Sequence, residues 1–443
     1  MRMTTMPTKN SSYIGSIFLF TLIFPLFSIT TIGDSTRYSH PRISPTDYGV
    51  SNYKITQSVK YQVDINFSLT QKTGTANFLF KFARLDNRVP NSTFTRYTPP
   101  YQESQLLYSN LYGSKPYYVN MGHQDKFNNT FDSFSTTLSP FVSMISTKLK
   151  SWVRFNQKYI VLLNAIEFPN IKESDIGSYD TTDEIFKLYS NQTEPYYERD
   201  ESSLIELSNN LVKPNDNPIE KAEKINNWIS NNIDYNENMP SQEMGALWAY
   251  NNLEGDCSEY SSLMITLLRI QGIPARKVSG FLISNDLAIK PQVGDMWTFH
   301  ASESDSNLIG HAWVEYFIPN IGWIACDPTW NYFNQIDFLR LSLNVGANFL
   351  FPPYNTVSEF LNPLFSYTLG AEFEYDYTVK ITAIESTLIP SLISPLKSFI
   401  IILIVVILGL FIVFYIVKKV KKRNPFYLFK LNSLFDLMFN QHL

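Results

Sequence analysis

The sequence predicts an α+β fold: strands early, a mixed helix-and-hairpin centre, and one membrane-spanning helix near the end. Three patterns carry that expectation. Tyr61, Val63, Ile65, Phe67 and Leu69 alternate with polar residues, and Phe78, Phe80 and Phe82 alternate again, the period of strands with one buried face. Tyr260, Leu263, Met264, Leu267 and Ile270 recur at helical spacing and are followed by the stop signals Gly272 and Pro274. Residues 399–417 contain no charge and are long enough to cross a bilayer.

Taken in order, residues 1–33 read as a signal peptide or signal anchor, with Arg2 and Lys9 ahead of an apolar stretch at 14–29. Residues 34–200 read as a β-rich, β-sandwich-like extracellular domain, since aromatic alternation there is punctuated by Gly, Pro and Asn. A linker is expected at 194–203. Residues 201–345 hold the helix and hairpin patterns. Residues 346–397 suggest another strand or two at 373–384 and a short juxtamembrane stalk. The transmembrane helix is placed at 398–417, and the tail at 418–443. Lys418, Lys419, Lys421, Lys422 and Arg423 follow the apolar stretch at once, and basic residues stay cytoplasmic, so the bulk of the chain is expected outside the cell membrane. The tail, with Phe426, Leu428, Phe429 and Leu431, either lies along the inner membrane surface or is poorly ordered.

Both termini are basic, so the net charge of −4 understates the acidity of the part between them. An acidic ectodomain argues against nucleic acid as partner and weakly favours neutral or basic peptides. Two cysteines cannot build a disulfide framework, so stability is expected from ordinary cores. No Cys or His pair has ligand spacing, and no Asp-x-Asp-x-Asp-Gly loop is present, so neither metal nor other cofactor is expected. Asp295, Glu303 and Asp305 read as a solvated loop. Asn66, Asn91, Asn128 and Asn191 begin sequons that are compatible with glycosylation.

The chemistry concentrates at three places. Cys257 stands in Gly255-Asp256-Cys257-Ser258-Glu259, where Asp256 can cap the helix and Glu259 can complete a capping box. Cys257 is then the first helical residue, at the end of the helix dipole that favours negative charge. Its N–H has no intrahelical acceptor and can face an oxyanion. The bland alternative is a buried, inert cysteine. His311 lies on a strand that continues to Ile318, and Asp327 ends a second short strand at 323–327 after the turn residues Pro319-Asn320-Ile321-Gly322. A four-residue loop would put Asp327 on the face opposite His311. An odd loop or one bulge would put it across from Trp313, diagonally beside His311. A thiol, an imidazole and a carboxylate in contact are the parts of a nucleophilic acyl-transfer site. Cys326 is expected on the opposite face as a small buried residue. Trp248 reads as a core or groove-wall residue. His300 reads as a loop histidine and a poor alternative base.

These residues together resemble the transglutaminase-like superfamily, the rearranged relatives of papain. The resemblance rests on Asn217-Pro218-Ile219-Glu220, Trp228-Ile229, Gly255-Asp256-Cys257, Gly272-Ile273-Pro274-Ala275-Arg276, Gly310-His311-Ala312-Trp313-Val314-Glu315, Gly322-Trp323 and Asp327-Pro328-Thr329, roughly a quarter of the chain. It implies a papain-like core with Cys257 as nucleophile, His311 as general base and acid, and Asp327 as orienting carboxylate. It also implies protein or peptide amides as substrates, by hydrolysis or transamidation through a thioester. The competing expectation is a non-catalytic adhesion or scaffold protein at the cell surface. Oligomeric state is left open.

Overall fold

A computed structural model describes residues 50–387 apart from short interruptions. The apolar stretch at 14–29, the expected transmembrane helix at 398–417 and the tail at 418–443 lie outside the described residues, as does Asp305. Among the described residues, no helix is long and apolar enough to cross a membrane.

Strands dominate, and most are antiparallel. The strand Lys54–Gly74 is the spine of the largest sheet. It pairs on one side with Trp152–Glu167 and on the other with Ala371–Ser386, the latter reaching from Val59 opposite Ser386 to Gly74 opposite Ala371. Met296–Ser302 extends the sheet beyond Ala371–Ser386, while Gln335–Ile336 and Gln102–Gly113 pair with Trp152–Glu167. The alternation at Tyr61, Val63, Ile65, Phe67 and Leu69 buries all five on one face. That face meets a second, four-stranded sheet containing Ala76–Ala83 and Thr130–Leu138. The Phe67 ring meets Phe80 and Phe82 edge-on, with centroids 5.6 and 5.2 Å away, and Phe82 stacks on Phe155 at 4.2 Å. Aromatic pairs in these geometries add specificity to the area they bury.

A third sheet carries His311. Its order is Gly322–Cys326, Gly310–Ile318, Ala275–Leu282, Arg340–Val345, all antiparallel. Every residue of Ala275–Leu282 is buried, because the strand is covered on both faces. On one side lies the helix Cys257–Ile270, whose Leu263, Met264 and Leu267 share a core with Val278, Trp313, Val314 and Ile324. Helices Ser202–Leu211, Pro218–Asn232 and Ala246–Asn252 pack around it. The Pro218–Asn232 helix starts on a capping box, with the Asn217 side chain accepting from the N–H groups of Ile219 and Glu220. On the other side, Phe281, Leu339 and Leu341 join the core of the sandwich.

The sheets therefore draw on segments that sequence patterning separates. Met296–Ser302 and Gln335–Ile336 come from 201–345, yet sit in the sheet built on Lys54–Gly74. Residues 371–386 form one long strand. The loop expected around His300 is instead a strand, with His300 opposite Thr378. The flanking Ser and Asp residues gave no sign of a partner strand that lies about 80 positions onward.

Candidate active site

The start of the helix Cys257–Ile270 is built by its own side chains. Asp256 Oδ1 accepts from the Ser258 N–H at 2.7 Å, and the Asp256 N–H donates to Glu259 Oε2 at 3.2 Å. Glu259 Oε1 accepts from the Met244 N–H at 2.8 Å, tying the preceding loop to the same carboxylate. Burial raises the Glu259 pKa, and the neighbouring Asp256 charge adds to the rise. Gly255 has to lack a side chain, since a Cβ there would stand 2.4 Å from Glu259 Cβ. Cys257 follows as the first helical residue, 8% exposed.

The hairpin resolves the register question. Ile318 pairs with Gly322 and Val314 with Cys326, so the loop has three residues, Pro319, Asn320 and Ile321. Asn320 takes a left-handed φ of 69°, which asparagine tolerates, and Gly322 takes 105°. Continuing this odd register sets Asp327 across from Trp313 and diagonal to His311. The two side chains meet: His311 Nε2 and Asp327 Oδ2 are 2.6 Å apart. The Cys257 thiol interacts electrostatically with the same ring. The Trp313 ring lies nearly parallel to the imidazole, 6.1 Å between centroids. Asp327 is itself fixed by the Thr329 N–H on Oδ1 at 3.1 Å and by a two-way backbone bridge to Tyr332.

A fourth residue was not foreseen. Arg340, which begins the strand at the opposite edge of this sheet, places Nε 2.9 Å and Nη2 2.7 Å from Asp327 Oδ2. Its Nη1 donates to Asp337, and its side chain is fully buried. An arginine thirteen positions beyond Asp327 matches no motif. Only the pairing of Arg340–Val345 with Ala275–Leu282 brings it round.

These contacts set the protonation of the site. Burial opposes charge on His311, but the Asp327 carboxylate, and after it Cys257, outweigh burial and push the imidazole up to about 9. Burial also opposes charge on Asp327, yet His311 and Arg340 hold its carboxyl well below the usual carboxylate range. Near neutral pH the ring is thus an imidazolium between an anionic carboxylate and the thiol. Such a site can deliver a nucleophilic sulfur to a carbonyl carbon and a proton to a leaving nitrogen.

Tyr235 and Trp330 are exposed. Tyr235 lies opposite Gly255, two positions before Cys257, and burial together with the Cys257 charge pushes its phenol up to about 12. Trp248 is half-buried on its short helix. Cys326 is buried among the helix-side core residues, and both cysteines are free. His300 lies in a different sheet from His311. Asp295 bonds the Gln292 N–H through its side chain, and Glu303 stands 3.9 Å from Lys72. Among the described residues, no three His, Cys, Asp or Glu side chains are grouped so as to hold a metal ion.

Residues 205–328 match the model of the Transglutaminase-like superfamily, and this part of the chain is a transglutaminase-like domain. The uncharacterized protein YebA of Bacillus subtilis is 28% identical over 138 residues, which are 30% of this chain and 18% of YebA. A protein-glutamine gamma-glutamyltransferase of Pseudomonas aeruginosa is 35% identical over 81 residues, 18% of this chain and 11% of that protein. The chain thus spans under a fifth of the length of either curated relative. Among solved structures, a Cytophaga hutchinsonii protein provisionally named a cysteine protease aligns at 15% identity and TM-score 0.42, covering 73% of this chain and 92% of its own.

Proposed function

We propose that this protein is a cysteine acyl-transfer enzyme acting on protein or peptide amides, with Cys257 as nucleophile, His311 as general acid and base, and Asp327 as the carboxylate that orients and charges the ring. The observation that carries this reading is the 2.6 Å contact between His311 Nε2 and Asp327 Oδ2 on a ring that Cys257 also influences electrostatically. In the first half-reaction the Cys257 sulfur, as the thiolate of a thiolate–imidazolium pair with His311, attacks the amide carbonyl carbon. The C–N bond breaks, and the His311 proton leaves with the amine. A thioester remains. In the second half-reaction His311 takes a proton from the acceptor as that acceptor attacks the thioester carbonyl. The Cys257–acyl bond breaks, the thiolate is regenerated beside the protonated ring, and the product is an acid if the acceptor is water or a new amide if it is an amine. The gamma-glutamyltransferase named for the Pseudomonas relative is consistent with the second outcome.

The chain is further read as an ectoenzyme anchored by residues 398–417, with the basic segment 418–443 in the cytoplasm and cell-surface proteins or peptides as substrates. Uncharged residues at 399–417 followed at once by five basic ones support that reading.

The test is labelling of the purified region with an electrophilic peptide probe. Wild type should acquire one equivalent on Cys257, and Cys257→Ala none. A folded wild type that takes up no label, or labels equally at Cys326, would overturn the assignment and favour a non-catalytic surface protein. For the anchor, protease added to intact cells should remove the catalytic region and spare an epitope placed after Leu443. Protection of that region would remove the extracellular reading.

A further inference from the structure

We propose that Arg340 is a positioning residue for the reaction: its guanidinium holds Asp327 ionised, aims Oδ2 at His311, and offsets part of the charge that Asp327 presents to the ring. This rests on the triad reading above. Three donors converge on one oxygen. His311 Nε2 is 2.6 Å from Asp327 Oδ2, and Arg340 Nε and Nη2 are 2.9 and 2.7 Å from the same atom. Asp327 is fully buried, so its charge has to be matched by protein groups rather than water. Asp337 sits behind Arg340 and accepts from Nη1, and Asp337 Oδ1 also caps the Leu339 N–H at 2.8 Å. The result is a line of alternating charge that runs Asp337, Arg340, Asp327, His311. The guanidinium fork is rigid and always charged, which suits it to fix one carboxylate oxygen from two directions.

The array makes a signed statement about the ring. Deprotonating His311 leaves the Asp327 carboxylate as a negative charge beside the ring. Arg340 stabilises that deprotonated state, so it opposes the rise that Asp327 induces. Removing the positive charge should move the His311 titration to higher pH. The other titratable groups around the pair are Cys257 and Tyr235 on the thiol side, Tyr332 and Asp337 around Arg340, and Cys326 next to Asp327. None of these groups supplies a positive charge that would replace the guanidinium.

The experiment compares wild type with Arg340→Gln and Arg340→Lys. The first removes the charge and the second keeps it without the fork. Two readouts are taken. One is the His311 titration by NMR on 13C-histidine-labelled protein, resolved from the other four of the chain's five histidines by His311→Ala. The other is the rate of labelling by the electrophilic peptide probe against pH. Arg340→Gln should move the His311 titration, and with it the alkaline limb of the labelling profile, to higher pH. It should also lower the labelling rate on the order of ten- to a hundredfold, as loss of an outer supporting partner does. Arg340→Lys should leave the titration at its wild-type position and lose less rate. A merely structural arginine would lower the amplitude of both readouts in proportion to the fraction folded and leave the limb in place. An unmoved His311 titration in folded Arg340→Gln overturns the proposal. So does Arg340→Lys behaving like Arg340→Gln. The NMR arm needs no activity. A wild type that fails to label would sink the triad reading, while the titration still decides the coupling to Arg340.

Discussion

At the residue scale the site is decided by where protons sit. His311 has a folded pKa of about 9 against an ordinary 6.5. A pKa raised on folding means that protonation stabilises the fold. That stability is fully present below about 6.5 and is lost as pH rises through about 9. Asp327 works the other way. Its carboxyl is depressed, so its contribution is present above the ordinary carboxylate range and is lost only as pH falls through its low folded pKa. Unfolding free energy measured against pH should therefore fall between about 6.5 and 9 in wild type, and the fall should shrink in His311→Ala. Labelling of Cys257 should lose its alkaline limb near 9 in step with the ring. In the same assay His311→Ala should slow acylation on the order of a thousandfold, as other triad losses do, and His300→Ala should change it little. Equal loss from both would mean that the base is misassigned. Much of this was legible beforehand, because Cys257, His311 and Asp327 each stand in a sequence context with a chemical reason. Arg340 was not legible, because nothing local to it marks it and only a strand pairing puts it on Asp327.

At the element scale, two short structures aim these groups. The helix start was readable, since a capping box is a local pattern and Asp256 and Glu259 sit three positions apart. Asp256→Ala removes the cap on the Ser258 N–H and should lower stability by about 1 kcal/mol in urea unfolding. It should also slow labelling of Cys257, because the thiol's own turn loosens. Unchanged stability would mean that the Glu259 contacts alone hold the turn. The hairpin was readable only to a choice between loops. Four residues with turn chemistry do not say which of them is already strand. The structure assigns Gly322 to the strand at φ 105°, where an added Cβ would meet the Tyr97 carbonyl oxygen at 2.4 Å. Gly322→Ala should accordingly destabilise by roughly 1–3 kcal/mol through backbone strain and contact, and Asn320→Ala by less. Equal, small effects of both substitutions would show that the loop adapts and does not set the register of Asp327.

At the scale of the whole molecule, the site depends on chain far from it, and this was the least legible part. Strand alternation announces a buried face but not a partner. Nothing local predicts that Lys54–Gly74 pairs with Ala371–Ser386 about 300 positions away, or that Met296–Ser302 leaves the transglutaminase-like segment to join them. A buried ion cluster ties the parts together. Glu315, on the His311 strand, accepts from Arg88 Nη2 at 2.6 Å and from Arg276 Nε at 2.9 Å, with all three side chains buried. Both arginines hold its carboxyl below the usual range against burial. Arg88 comes from the strand-rich N-terminal part, so one charge of that part is neutralised inside the sheet that carries the histidine. Arg88→Met leaves Glu315 with one partner and should destabilise by roughly 3–5 kcal/mol, the scale for breaking a buried pair from one side. Adding Glu315→Gln to Arg88→Met should recover part of that loss, because the uncompensated charge goes with it. The same logic makes residues 201–345 insufficient alone. That fragment would expose Phe281, Leu339 and Leu341, which pack into the sandwich core, and would carry Glu315 without Arg88. Expressed by itself, it should lack a cooperative thermal transition and should not label at Cys257, whereas residues 50–387 should unfold cooperatively and label. A cooperative, labelling fragment of 201–345 would show that the sandwich is an appendage and not part of the scaffold that holds Cys257, His311 and Asp327.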